Sequence, residues 1–201
     1  AFIIGEDFID GDDVCLILGD NIFHSDTFIN KYLLPSFTNK KATVFGCHVV
    51  DPERYGVVEF DDNNSVISIE EKPLKPKSNY AVAGLYIFDK KASSIAKKLI
   101  PSERNETEIV DMLNEYLKLD RLQVQLLGRG VAWLDTGTHH SLHDASNYIE
   151  VLENRQGLKI GCIEEIAYRK GYITKNKLLK LAAPLSGNNY GEYLIKIANL
   201  D

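Results

Sequence analysis

Apolar residues along the chain fall into short unbroken runs, alternating runs and helical stripes. Val14 to Leu18 is unbroken and stops at Gly19-Asp20-Asn21. A run this short predicts a strand buried on both faces, as in a parallel sheet, although periodicity alone leaves a buried helix segment open. Lys41 to Val50 is a second strand, rich in β-branched residues. Residues 56–60 and 66–70, joined by the polar turn 61–65, predict a β-hairpin. Tyr80 to Phe88 is a further strand with Gly84 inside it, and glycine there marks a bulge or the close approach of another group. Leu122 to Leu127 and Val131 to Leu134 read as two more strands.

A period near 3.6 governs most of the rest. Residues 1–12 read as a helix tail and a loop, broken by Gly5 and Gly11. Residues 21–39 read as a loop and a helix with Phe28, Ile29, Tyr32 and Leu33 on one face, ended by Pro35. Residues 89–100 and 106–119 are amphipathic; Ile109, Met112, Leu113, Tyr116 and Leu117 form the stripe of the second. A longer helix follows Thr138, runs to about Arg155 with Leu142, Ala145, Tyr148, Ile149 and Leu152 inward, and is stopped by Gly157. Beyond 158 the texture changes to three short helices, near 164–170, 174–183 and 189–198, with Thr174 and Ser186 at cap regions. The pattern is α/β: a mixed sheet flanked by helices over 1–157, then a helical tail over 158–201 that packs on the sheet domain or on a partner subunit.

Composition narrows the class. With 44% hydrophobic and 26% charged residues the chain is of the soluble globular type. A net charge of -6 without long runs of either sign speaks against a nucleic-acid partner. No apolar stretch approaches the roughly 18 residues of a membrane span. Three cysteines, Cys15, Cys47 and Cys162, are an odd, widely spaced set. They read as buried reduced thiols of a cytoplasmic protein rather than a disulfide or zinc framework. The chain opens mid-pattern without Met and reads as cut at its N-terminus.

Several polar groups stand where chemistry is possible, each beside a plainer reading. Asp20 is either a turn that ends its strand or a hard oxygen ligand at the mouth of the sheet. Asp135 also ends a strand beside a glycine-containing turn, and two such carboxylates suit Mg²⁺ held against phosphates. Glu71-Lys72-Pro73 is a solvated turn, or an acceptor for sugar hydroxyls beside a point charge for phosphate. Tyr55-Gly56 offers a ring and a bare amide, or a turn. Arg104 and Glu106 are the polar start of a helix or a ligand pair. Trp133 is a core residue or the wall of a sugar pocket. His139 and His140 lack a third ligand at metal-site spacing and read as exposed.

Four ordered segments carry a resemblance: Leu16 to Phe23; Asp51 to Phe60; Glu70-Glu-Lys-Pro73 with Lys77 to Tyr80 and Gly84-Leu-Tyr86; and Trp133-Leu-Asp-Thr-Gly-Thr-His139. Residues 156–159 and 184–186 add to it. Together they resemble the sugar-nucleotide pyrophosphorylases, and the last segment favours their thymidylyl branch. The resemblance implies a Rossmann-like nucleotidyltransferase fold and a reaction of dTTP with glucose 1-phosphate to give dTDP-glucose and pyrophosphate, as in nucleotide-sugar and polysaccharide biosynthesis. It implies Mg²⁺ on Asp20 and Asp135, and Lys72 on the sugar phosphate. Tyr55, Gly56, Glu71 and Val82 would be sugar-nucleotide contacts, with Arg104 and Glu106 near the sugar. It further implies a homotetramer built through the tail, and a regulatory nucleotide site to which Arg169 belongs. The family's N-terminal glycine-rich loop is absent, so this chain alone is expected to turn over little, and an inactive sugar-nucleotide-binding or regulatory module is the alternative. Ala83 in place of Thr, and a varied segment at 105–111, are further departures.

Overall fold

A computed structural model describes residues 1–63, 65–101 and 107–200. The chain packs as two units, Ala1–Thr138 and the segment from His139 onward.

The first unit is built on a mixed sheet. Its strands are β1 (Val14–Ile17), β3 (Ala42–His48), β4 (Gly56–Phe60), β5 (Val66–Glu71), β6 (Tyr80–Phe88) and β7 (Leu122–Leu126), in the order β5-β4-β6-β3-β7 with β1 also on β6. Among the described residues only β3 and β7 pair in parallel. A separate two-stranded ladder joins β2 (Asn21–His24) to β8 (Ala132–Asp135). The helices of this unit are α1 (Glu6–Ile9), α2 (Leu34–Ser36), α3 (Ala92–Ala96) and α4 (Ile109–Lys118).

Strand β6 is the centre because both of its faces are covered. Alternate side chains point to opposite faces. Val82, Tyr86 and Phe88 join one buried cluster with Val44, Met112 and Tyr116; Ala83, Leu85 and Ile87 join another with Phe28 and Phe45. The α4 stripe packs as its period predicts, with Met112, Leu113 and Tyr116 buried, and Val110 with them.

Three readings change. Strand β1 pairs antiparallel with β6 and alternates between half-buried and exposed, so Cys15 is exposed rather than buried. An unbroken apolar run does not report which face is covered; that depends on which elements stack over it. The polar-apolar segment after Asp20 is strand β2, not a loop. The next turn is a π-helix, Ile29–Leu33, running into α2 with Pro35 in its first turn. A wider turn accommodates the N–H that proline lacks.

The second unit is helical: α5 (His139–Gln156), α6 (Ile163–Arg169), α7 (Lys175–Ala182) and α8 (Asn189–Leu200). Gly157 ends α5 at a φ of 66°, where a side chain would be strained. Thr174 caps α7 by accepting the Lys177 N–H at 3.3 Å. The cap of α8 is Asn188, which accepts the N–H groups of Tyr190 and Gly191, rather than Ser186. A core of Leu178, Ala182, Leu194, Ile197 and Ala198 holds the unit together. Among the described residues no helix is long and apolar enough to cross a membrane.

Candidate active site

The β2–β8 ladder creates the site. Its register sets Asn21 opposite Asp135, and Thr136 donates its N–H to the Asp20 carbonyl at 2.8 Å. Two carboxylates far apart in sequence thus meet at Gly137. A β-carbon on that glycine would stand 3.0 Å from Asp135 Oδ1 and 3.5 Å from Asp20 Oδ2. The Gly137 N–H also donates to Asp135 Oδ1, at 2.9 Å.

The same cleft, about 320 Å³, is lined by Tyr55, Gly56, Glu71, Lys72, Val82 and Trp133. The hairpin delivers Tyr55, Gly56, Glu71 and Lys72, while Val82 comes from β6 and Trp133 from β8: Gly56 pairs with Glu71 in the β4–β5 register, and Val57 with Ala81 on β6. Gly56 brings bare backbone close to its neighbours: a β-carbon there would crowd Val110 Cγ2 at 3.0 Å and touch Glu71 Oε2 at 3.5 Å. Lys72 follows β5 in a left-handed conformation, φ 44°, and donates its N–H to the Tyr55 carbonyl at 3.0 Å. A lysine at positive φ is strained, and such strain collects at functional sites. Its ammonium lies 3.7 Å from Glu71 Oε1.

Aromatic residues form a wall. The Tyr55 and Trp133 rings stand 5.1 Å apart, and the Tyr55 hydroxyl donates to Asp135 Oδ2 at 3.3 Å. Burial, joined by the Asp135 and Asp51 carboxylates, pushes the Tyr55 phenol up to about 12 against the pull of Arg54. Burial also raises the Tyr86 phenol, with Glu71 and Asp20 adding to it. Both hydroxyls therefore stay protonated at neutral pH and remain donors.

The candidate residues read from the sequence divide clearly. Asp20, Tyr55, Gly56, Glu71, Lys72, Val82, Trp133 and Asp135 are brought to one cleft. Arg104 and Glu106 lie outside the described residues. Arg169 is in the second unit, on α6, with its Nε on Glu165 Oε1 at 2.7 Å. Three residues of the cleft were not among the candidates named from the sequence. Asn21 Oδ1 accepts the Trp133 indole N–H at 2.6 Å and the Gly84 N–H at 3.0 Å, while its Nδ2 donates to Asp20 Oδ1 at 2.8 Å. Tyr86 shares the cleft-facing side of β6 with Val82 and Gly84. Arg54 donates to Asp51 Oδ2 at 2.8 Å and to Asp135 Oδ2 at 3.2 Å. Only the Asn21 contact was foreshadowed, by the glycine it displaces a side chain from.

Two carboxylates around a bare glycine fit a small hard cation. Mg²⁺ takes one or two protein carboxylates and fills its remaining positions with water and substrate phosphates. Among the described residues no cluster of three or more His, Cys, Asp or Glu stands as a metal cage.

Known proteins resemble the chain in sequence and in fold. Residues 1–151 match the family model described as Nucleotidyl transferase. A glucose-1-phosphate thymidylyltransferase of Neisseria meningitidis is 51% identical over 197 residues, covering 98% of this chain and 68% of the relative. One of Xanthomonas campestris is 53% identical over 198 residues, covering 98% and 67%. A Bacillus anthracis crystal structure solved in complex with a sucrose superposes with a TM-score of 0.64 at 44% identity, over 72% of this chain and 57% of that one. UDP-glucose pyrophosphorylase complexed with UDP-glucose shares the fold, with a TM-score of 0.64 at 24% identity over 73% and 59%. The chain thus spans about two thirds of the length of the curated relatives it matches. With the family model over residues 1–151 and these relatives in agreement, the chain belongs to the nucleotidyl transferase family.

Proposed function

We propose that the cleft serves thymidylyl transfer to a sugar phosphate. An oxygen of α-D-glucose 1-phosphate attacks the α-phosphorus of dTTP; the new P–O bond forms as the bond to the leaving pyrophosphate breaks, and dTDP-glucose remains. The observation that carries the reading is the convergence of Asp20 and Asp135 at Gly137 in the cleft that also holds Glu71 and Lys72. Curated relatives at 51% and 53% identity bear the name of that reaction.

Such a transfer needs no protein nucleophile, so the chain works by positioning and charge neutralisation. Glu71 accepts hydrogen bonds from sugar hydroxyls, and Gly56 leaves its backbone open to the ring. Lys72 meets the sugar phosphate as a point charge. Tyr55 and Trp133 exclude water from one side. Asp20 and Asp135 would hold Mg²⁺, which when bound neutralises phosphate charge in the transition state.

Pyrophosphate release from dTTP and glucose 1-phosphate with Mg²⁺ tests this, on this chain and on a form extended to the length of its relatives. Release in the extended form is expected. Asp135→Asn is expected to cut it at least about a hundredfold, on the order of 3 kcal/mol of barrier. Near-normal turnover in that variant removes the cation assignment. Silence in both forms, from folded protein, moves the chain to a binding or regulatory role.

A further inference from the structure

The two carboxylates at Gly137 are not presented in the same way as free side chains would be. Each has one oxygen tied to side-chain donors and the other turned toward the glycine. Asp20 Oδ1 takes the Asn21 amide at 2.8 Å, and Oδ2 faces Gly137. Asp135 Oδ2 takes two side-chain donors, Arg54 Nη2 at 3.2 Å and the Tyr55 hydroxyl at 3.3 Å, while Oδ1 faces Gly137 and accepts only its backbone N–H, at 2.9 Å. Arg54 itself is anchored independently of Asp135. Its Nη1 donates to Asp51 Oδ2 at 2.8 Å, and its guanidinium carbon lies 5.2 Å from the Tyr55 ring centroid. Asp51 precedes and Arg54 ends a 3₁₀ turn, Pro52–Arg54, whose proline restricts the backbone.

We infer that Arg54 is the positioning residue of Asp135, holding Oδ2 so that Oδ1 is the oxygen offered, beside Asp20 Oδ2, to a divalent cation. The inference rests on the reading of Asp20 and Asp135 as the cation's ligands. Groups that hydrogen-bond a ligating carboxylate fix its orientation, and their loss typically costs 10- to 100-fold in metal affinity. The guanidinium suits the task because its planar fork reaches two carboxylates at once. A lysine has the charge but not the fork. Arg54 also brings a positive charge that repels a cation by Coulomb's law. Orientation and repulsion therefore predict opposite signs for removing it, and the sign decides between them.

The chain has its own reporter. Trp133 is the single tryptophan, two residues before Asp135 and against Tyr55. Mn²⁺, a paramagnetic stand-in for Mg²⁺, bound at Gly137 is expected to quench its fluorescence saturably. The 201-residue chain is titrated as wild type, Asp135→Asn, Arg54→Lys, Arg54→Met and Tyr55→Phe, with far-ultraviolet circular dichroism on each. Wild type is expected to saturate, and Asp135→Asn to lose the saturable phase. Both Arg54 variants are expected to weaken the midpoint by about tenfold or more. Tyr55→Phe removes the other donor to Oδ2, leaves Arg54 in place, and is expected to weaken it less. An Arg54→Met midpoint equal to or tighter than wild type overturns the positioning role and leaves the cation site standing. If Arg54 variants fail to fold, an unchanged Tyr55→Phe midpoint overturns the claim that tying Oδ2 sets the geometry. No saturable quenching in the wild type overturns the cation reading itself, and this inference with it.

Discussion

The side-chain amide of Asn21 is engaged at both ends, by the Gly84 and Trp133 N–H groups on its oxygen and by Asp20 on its nitrogen. It ties the aromatic wall, the central strand and one carboxylate into a single unit. A β-carbon on Gly84 would stand 2.6 Å from Asn21 Cγ, so the strand glycine exists to admit the amide. Asn21→Ala leaves two donors unpaired and is expected to cost on the order of 2 kcal/mol, with a shift in Trp133 emission. Gly84→Ala drives a methyl group into the amide and is expected to destabilise by a similar amount. The double variant removes the clash but not the unpaired donors, so in urea unfolding it should lose clearly less than the two singles together. Strict additivity would mean that the two residues do not share this contact. The glycine was legible as a bulge or a close approach because it interrupts an otherwise apolar strand. Its partner was not, because an asparagine after Gly-Asp has the composition of an ordinary turn. Arg54 was illegible for another reason: its meaning lies in a carboxylate reached only through the β2–β8 pairing.

Among elements, those with a long uninterrupted period were readable. The hairpin, β6, α4 and the three tail helices fall close to the predicted spans, and in β6 and α4 nine strand residues or ten helical ones leave little ambiguity. The four residues of β2 do not carry a period, and its pairing is non-local, so it read as a loop. The turn after α5 shows what local chemistry adds to such an element. Glu153 pairs with Lys159 through Oε2 and accepts the Ile160 N–H at 2.9 Å through Oε1, folding the chain back after Gly157. Burial pushes this carboxyl up, but the Lys159 ammonium and the Ile160 N–H more than offset that and hold it below the usual glutamate value. A depressed folded value means stability that is full above the unfolded value of about 4.3 and is lost as pH falls through the folded value. Glu153→Gln is therefore expected to lower the melting temperature at pH 7, by on the order of 1 kcal/mol of stability. The difference from wild type should shrink on acidification below about pH 4. A gap that persists at pH 2 would assign the effect to packing rather than charge.

At the scale of the whole molecule, the apolar pattern resolves into separate buried clusters. Two lie on opposite faces of β6, and a third, built from residues after Gly161, belongs to the helical unit. Trp133 packs against the second of these, with Phe28, Phe45 and Leu85. Leu194 is fully buried in the third. Truncating it to alanine removes transfer energy and leaves a cavity, a loss of about 2–5 kcal/mol. Since no residue of the cleft belongs to that cluster, the loss is expected to register in the helical unit and not at the site. Leu194→Ala should bring the thermal loss of the 222 nm helix signal to lower temperature. At 20 °C, below that transition, Trp133 emission and its response to Mn²⁺ should match the wild type. A Trp133 spectrum already altered at 20 °C would show that the tail's core supports the cleft directly, and that the sheet clusters alone do not hold the two carboxylates at Gly137.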